Sequence, residues 1–356
     1  MLLLSALFLI SCGSSHGQLQ TLDIHSTKGA DLVGTSSTDI WGIEPTAVFS
    51  SFDLAHWDGN SVVRHHLPEA HIKPPVVGVR APGEAWVFSV DANRKVLAHQ
   101  IDRAGTVIDH SAQFPQDVNY SSYFVASGRG GLFFGVNTPS TLQVYRLDGD
   151  RFVPFTALAY GLPIQVLGPD EAWFSDGTAL FHYNAGTTTP ITPAATSANF
   201  YGLISVDSAG VIYSLRSLIV ENVENTMNGT LRVLRVENDI ATEITLVLGP
   251  SSISGYGFTP SAVIAQGNGT FSVVGGAQAG GPYLYESTVV TRDADATSIA
   301  QSDTAIHSFG DDCADRCSSV GLVVEIFEDN SFVLQGPVNG QTGITALYVG
   351  TASELR

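Results

Sequence analysis

Ten histidines and 34 acidic side chains are the groups in this chain best suited to chemistry, and their spacing says what each could do. His56, His65, His66 and His71 fall within one short stretch, and His99 and His182 read as matching third-strand positions further along. Zinc is the specific reading, because imidazole nitrogens are among its common ligands. The first four, however, are spread over a strand, an outer hairpin and a linker, so exposed or hydrogen-bonded histidines are expected and no metal site. Glu84 with Asp91, Asp170 with Glu171, and Asp311 with Asp312 are pairs from which a glycosidase could be built, since that mechanism needs two carboxyls at a set separation. Acidic residues recur just ahead of the large apolar residues of successive modules, which makes turn formation the expectation for them. The chain has no Gly-x-Ser-x-Gly elbow, no His-Glu-x-x-His, no phosphate-binding glycine loop and no calcium-binding Asp-x-Asp-x-Asp-Gly loop. No cofactor is expected, and no catalytic residue is identified by motif. Asn119, Asn228 and Asn268 fit the glycosylation acceptor pattern and read as turn residues.

The elements that must position these groups come from a repeat. An apolar strand, a turn of small or acidic residues and a second strand opening on a large apolar residue recur along the chain, with anchors Trp41, Trp86, Phe133, Trp173, Ile212, Phe271 and Phe332. Successive anchors lie about 40 to 60 residues apart, room for four short strands each, which is the period of a propeller blade. Third strands ending in polar turns follow at 54–60, 96–105, 142–150, 179–186 and 231–239, and short fourth strands at Val62–His66, Val107–His110, Phe152–Phe155, Pro190–Thr192 and Glu243–Val247. The last module has only three strands, and Leu19–His25 reads as a strand with no partner. The expected fold is therefore all-β, a seven-bladed propeller of four-stranded antiparallel blades, closed by the N-terminal strand pairing with the C-terminal blade.

Thirty-six glycines, 16 prolines and only 14% charged residues suit many short strands and tight turns. A net charge of −18 with no basic run argues against a nucleic-acid partner and keeps the protein body off an anionic bilayer. Any membrane contact must come from a separate anchor. Residues 1–12, MLLLSALFLISC, form an apolar run too short to span a bilayer but suited to an export signal. Leu9-Ile10-Ser11-Cys12 resembles the lipobox of bacterial lipoproteins, which implies lipidation at Cys12 and an outer-membrane location; a plain secretory signal, with a periplasmic or secreted protein, is the alternative. Residues 13–18 then form a flexible tether, and 19–356 a single propeller domain. In an oxidising compartment Cys313 and Cys317 are expected to form a disulfide pinning a short loop. A metal at that loop would need two more ligands, and only His307 lies close in sequence.

Asp39-Ile40-Trp41-Gly42 followed by His56-Trp57-Asp58-Gly59, echoed by Glu84-Ala85-Trp86 and by Glu171-Ala172-Trp173 with His182-Tyr183, resembles the propeller repeats of secreted proteins and lipoproteins of myxobacteria and related bacteria, of Kelch or galactose-oxidase type. The resemblance covers nearly all of 19–356 and implies a fold, not an activity. The extra residues of the two longest intervals fall at Arg216–Thr230, Gly249–Ser261, Gly275–Pro282 and Ser298–Ser319, which read as loops converging on one face, with Val220–Met227 as a solvated stretch. From this follows a monomeric binding scaffold that engages a protein or glycan through that face. A propeller hydrolase or lyase acting on extracellular polysaccharide or peptide is the alternative, and a purely structural envelope role is a third reading.

Overall fold

The computed structural model describes residues 19–24, 32–46, 51–67, 73–115, 120, 122–137, 142–155, 162–175, 180–191, 203–223, 226–248, 259–267, 269–278, 285–293, 298–299, 304–308, 322–337 and 345–351. Cys12, Cys313, Cys317, His71, Asp311, Asp312, Asn119 and Asn268 lie outside them, as do the signal and tether at 1–18.

The described chain is almost entirely β, in antiparallel meanders numbered here as sheets 1 to 7 in chain order. Sheet 1 comprises Leu32–Ser36, Asp39–Pro45, Phe52–Trp57 and Val62–His66; sheet 2 Val76–Ala81, Glu84–Val90, Val96–Asp102 and Val107–Asp109. Sheet 3 comprises Ser122–Gly128, Gly131–Asn137, Leu142–Asp148 and Arg151–Phe155; sheet 4 Leu162–Gly168, Glu171–Ser175, Leu180–Asn184 and Thr187–Pro190. Sheet 5 is built on Ile204–Val206, Ile212–Val223, Thr226–Glu237 and Ile240–Leu248, and sheet 6 on Thr259–Gly267, Thr270–Gln278, Tyr285–Asp293 and Thr304–Ser308. Sheet 7 joins Leu322–Ile326, Phe332–Pro337 and Thr345–Gly350 to the N-terminal Gln20–Leu22, which pairs antiparallel with the last strand through Gln20↔Val349, Thr21↔Tyr348 and Leu22↔Leu347.

Each anchor lies on the second strand of its own sheet and is buried. The reason is two-sided packing. Neighbouring residues on a strand point to opposite faces, and here both faces meet another sheet. Phe133 thus packs with Phe155, Phe174 and Tyr183 between sheets 3 and 4, while Phe134 packs with Trp86, Phe88 and Tyr145 between sheets 2 and 3. Second strands of sheets 1 to 3 are buried nearly end to end, whereas the outermost strand of sheet 2 is wholly exposed. Burying one such aromatic stabilises the fold by about 2–3 kcal/mol.

The apolar clusters follow one another round a ring. Trp41 and Leu54 meet Val77 and Val87 between sheets 1 and 2; Trp173 and Leu180 meet Ile212 and Leu234 between sheets 4 and 5. Tyr213 meets Phe271 between sheets 5 and 6, and Ala262 meets Phe332 between 6 and 7. Val333 and Leu347 of sheet 7 then pack on Ile40 and Trp57 of sheet 1. First strands are sheet edges, and serines from the neighbouring sheet cap their amides: Val79 N–H donates to Ser127 Oγ at 2.8 Å, Ala265 N–H to Ser205 Oγ at 2.9 Å and Val323 N–H to Ser261 Oγ at 3.0 Å.

Several expectations need correction. The four-stranded antiparallel blade recurs, with one addition among the described residues: sheet 5 gains a fifth strand, because Ser298–Ile299, from the segment between two strands of sheet 6, adds in parallel to Val247 and Leu248. Arg216–Thr230 is not a loop. Its described residues continue the second and third strands of sheet 5 as a ladder out to Val223↔Thr226, and of Val220–Met227 residues 220–223 and 226–227 belong to it, the rest lying outside the described residues. Much of Gly275–Pro282 is likewise strand, up to Gln278. In sheet 4 the fourth strand is Thr187–Pro190 instead of Pro190–Thr192, since Ala185 and Gly186, at φ 46° and 87°, turn the chain directly after the third strand.

Candidate functional site

Most of the histidines and acids singled out by the sequence are taken up by clamps between blades. Asp39, which opens the second strand of sheet 1, is buried and accepts hydrogen bonds from Trp41 Nε1 at 3.3 Å, His56 Nε2 at 2.9 Å, Thr35 Oγ1 at 2.8 Å and the Gly83 N–H of sheet 2 at 3.0 Å. Burial alone would raise this carboxyl, but the bonds from His56, Thr35 and Gly83 outweigh it and hold the pKa below the usual value. His56 stacks on Trp41 with ring centroids 3.9 Å apart. Glu171 and His182 repeat the device in sheet 4, at 2.9 Å, with His182 stacked on Trp173 and its Nδ1 bound to Asp239 of sheet 5 at 2.7 Å. In sheet 2, Glu84 accepts from Trp86 Nε1 at 2.7 Å and pairs with Arg80.

His99 does not match His56 and His182. The register sets His56 opposite Trp41 and His182 opposite Trp173, but Gln100 opposite Trp86. A one-residue offset moves a side chain to the other face of a sheet, so His99 is buried on the far side, 3.8 Å from Asp109. His110 meets Trp86 instead, with ring centroids 4.7 Å apart and the planes tilted by 40°. His66 pairs with Asp53 at 2.8 Å, while burial lowers the pKa of His65. Among the described residues, no group of three or more His, Cys, Asp or Glu side chains could hold a metal ion.

The carboxylate pairs do not converge. Glu84 and Asp91 stand at opposite ends of a strand, roughly 20 Å apart. Asp170 binds Arg146 and the Tyr183 hydroxyl, while its neighbour Glu171 binds His182. The turn role expected of the acids ahead of the anchors does not describe Asp39, Glu84 or Glu171, and falls to other acids. Asp58 accepts the N–H groups of Asn60 and Ser61, and Asp102 those of Ala104 and Thr106, and these bonds lower both pKa values.

Two features differ from the sequence reading, which places the extra residues at Arg216–Thr230 and Gly275–Pro282 on one face but as loops, and does not single out Glu325. The first is a flange: strands of up to 12 residues in sheet 5 and nine in sheet 6, against seven or fewer in sheets 1 to 4. Five extra residues carry the sheet 5 hairpin roughly 16 Å further. In an antiparallel meander the first-to-second and third-to-fourth turns share one end, so this second-to-third hairpin rises from the opposite end, where blade-to-blade connections also emerge.

The second is Glu325, on the first strand of sheet 7. The register assigns equivalent positions as those paired with the residue after the anchor: Leu32↔Gly42, Val77↔Val87, Val125↔Phe134, Pro163↔Phe174, Ser205↔Tyr213, Ile264↔Ser272 and Glu325↔Val333. Only in sheet 7 is that residue charged. Glu325 retains some contact with solvent but lies deep in the protein, and burial pushes its carboxyl up to about 8, against which the Ile326 N–H at 3.3 Å acts weakly. A repeat comparison of first strands would have flagged it.

The chain is thus an all-β propeller with four-stranded antiparallel blades. No protein-family model and no curated protein matches it. Among solved structures it is similar to the polysaccharide lyase Uly1 (10% identity, 94% of this chain and 92% of that one, TM-score 0.49) and to the WD40 domain of SCAP from fission yeast (9%, 90% and 80%, 0.45). It is also similar to SapL1, a lectin seen with alpha methyl fucoside (11%, 78% and 96%, 0.35). Such distant likenesses carry no argument about function.

Proposed function

We propose that this chain is a non-catalytic binding scaffold, a seven-bladed ring latched by its N-terminal strand, that engages a glycan or protein partner on the face bearing the sheet 5 and 6 flange. The flange carries the reading, because it is the departure from blade regularity that packing does not require: its outer pairs, from Ile219↔Thr230 to Val223↔Thr226, lie beyond the length of the strands in sheets 1 to 4. A rigid ring with one elaborated edge is how a scaffold presents an asymmetric surface. The proposal includes export and a lipid anchor at Cys12, which would display that face at an outer membrane, and a Cys313 to Cys317 disulfide. Replacing residues 219–230 by Asn-Gly tests the reading. Loss of binding to envelope polysaccharides and proteins immobilised from extracts, with unchanged thermal unfolding, is the expected result; undiminished binding would refute it.

Glu325 favours a second reading, a hydrolase or lyase on extracellular polysaccharide. A carboxyl held protonated near neutral pH is suited to general acid catalysis. Turnover of a polysaccharide panel that disappears in Glu325→Gln, with binding kept, would replace the first reading by this one.

A further inference from the structure

Arg129 and Gly130 form the two-residue turn between the first and second strands of sheet 3, at φ 47° and 86°. Glycine or asparagine would take that left-handed backbone without the steric cost arginine carries there. The Arg129 backbone N–H donates to Glu328 Oε1 of sheet 7 at 2.5 Å, and its guanidinium donates to the Val206 carbonyl of sheet 5 at 3.3 Å. The same carbonyl accepts from Asn330 Nδ2 of sheet 7 at 2.9 Å. Sheets 3, 5 and 7 are not neighbours in the ring, so residues from all three can meet only on its axis. All of them belong to, or adjoin, first-to-second turns, which places the meeting point at the end opposite the flange.

We propose that Arg129, Glu328 and Asn330 form a proton-sensitive latch that shuts the turn end of the propeller axis. The groups around the Glu328 carboxyl come from several sheets. Arg129 attracts it; Asp329 of its own turn and Asp39 of sheet 1 repel it. Asp39 is itself countered by His56 and by Arg103 of sheet 2 at 3.6 Å, and Asp207 follows Val206 in sheet 5. Burial raises the Glu328 pKa, and the N–H and charge of Arg129 do not fully offset it. The closed latch therefore holds its proton more tightly than an open, solvated one would. Linkage then sets the direction: acid favours the closed latch, and rising pH through the raised pKa loosens it. Access to the interior from this end is lowest in acid, leaving the flange face as the approach.

Hydrogen exchange on the full chain reads this directly. The first central N–H of such a turn has no partner within the hairpin, so protection of the Arg129 amide reports on the Glu328 bond. After correction for intrinsic rate, its protection should fall about tenfold between roughly pH 4 and pH 8. Glu328→Gln, neutral and still an acceptor, should keep the acid level of protection at every pH. Arg129→Ala, which retains the amide but loses the tie to Val206, should lower protection throughout. A wild-type amide with protection independent of pH, or the same pH dependence in Glu328→Gln, would overturn the proposal.

Discussion

Sheets 1 to 4 and sheets 5 to 7 solve the same packing problem with different chemistry. In the first group neighbours are joined by charged or strongly polar clamps: Asp39 to the Gly83 amide, Arg80 to the Gly149 carbonyl at 2.6 Å and Arg146 to Asp170, with His182 of sheet 4 reaching across the border to Asp239 of sheet 5. In the second, described links between neighbouring sheets are the serine hydroxyls of Ser205 and Ser261, of the kind Ser127 also makes between sheets 2 and 3, and apolar contacts around Tyr213, Phe271 and Phe332. Tryptophan anchors with an acid two residues ahead belong to the first group alone. The second group carries the long strands, the added parallel strand and the buried Glu325. The contrast teaches that one part of the ring is held in place while the other is free to be elaborated.

The comparison can be broken at the anchors first. Trp86→Ala empties a fully buried site beside Phe88 and Phe152 and should cost about 4 kcal/mol by denaturant unfolding, whereas Ile212→Ala, with fewer atoms to lose, should cost about 3 kcal/mol. Next is the clamp. Asp39→Ala strands the Trp41 indole, His56 and the Gly83 amide without their acceptor and should cost about 3 kcal/mol, with Asp39→Asn recovering part of it. A Ser261→Ala change, which removes the corresponding link in the second group, should cost about 1 kcal/mol; an equal loss at both sites would erase the distinction.

Glu325 sharpens it through pH. Its folded pKa is above the ordinary carboxylate value, so the ionised form is penalised only in the folded state and stability falls as pH rises from about 4.5 towards about 8. Allowing for the solvent that reaches the side chain, Glu325→Gln should stabilise the protein by about 2 kcal/mol at the upper end of that window and little below it. Unfolding midpoints recorded across the window check this, and parallel wild-type and mutant curves would disprove it. The smallest effect is expected at the flange, where shortening residues 219–230 should change stability by less than about 1 kcal/mol, because that segment lies beyond the ring.

How much could be read beforehand depended on range. The anchors were legible because alternation and turn chemistry are local: Trp41 follows its turn by a few residues, and a strand buried on both faces must be apolar whichever sheet it meets. Arg216–Thr230 was misread because its Asn, Glu and Gly residues look like loop, while its pairing depends on a partner strand already held by the blade. The acids ahead of the tryptophans were visible, but a clamp and a turn former share one sequence pattern. His99 was misplaced by a single register step, which composition cannot reveal.

By itself, then, the sequence determined the repeating strand modules, the anchor on each second strand and the acidic, turn-rich character of the chain, because each follows from contacts within a few residues. Only the tertiary structure decided which carboxyls meet which cations, that Glu325 sits deep in sheet 7, and that Arg129 reaches Glu328, 199 positions away. The physical reason is that the axis belongs to no single blade. It exists only once the sheets have packed round it, and the groups that meet there are chosen by the geometry of that packing.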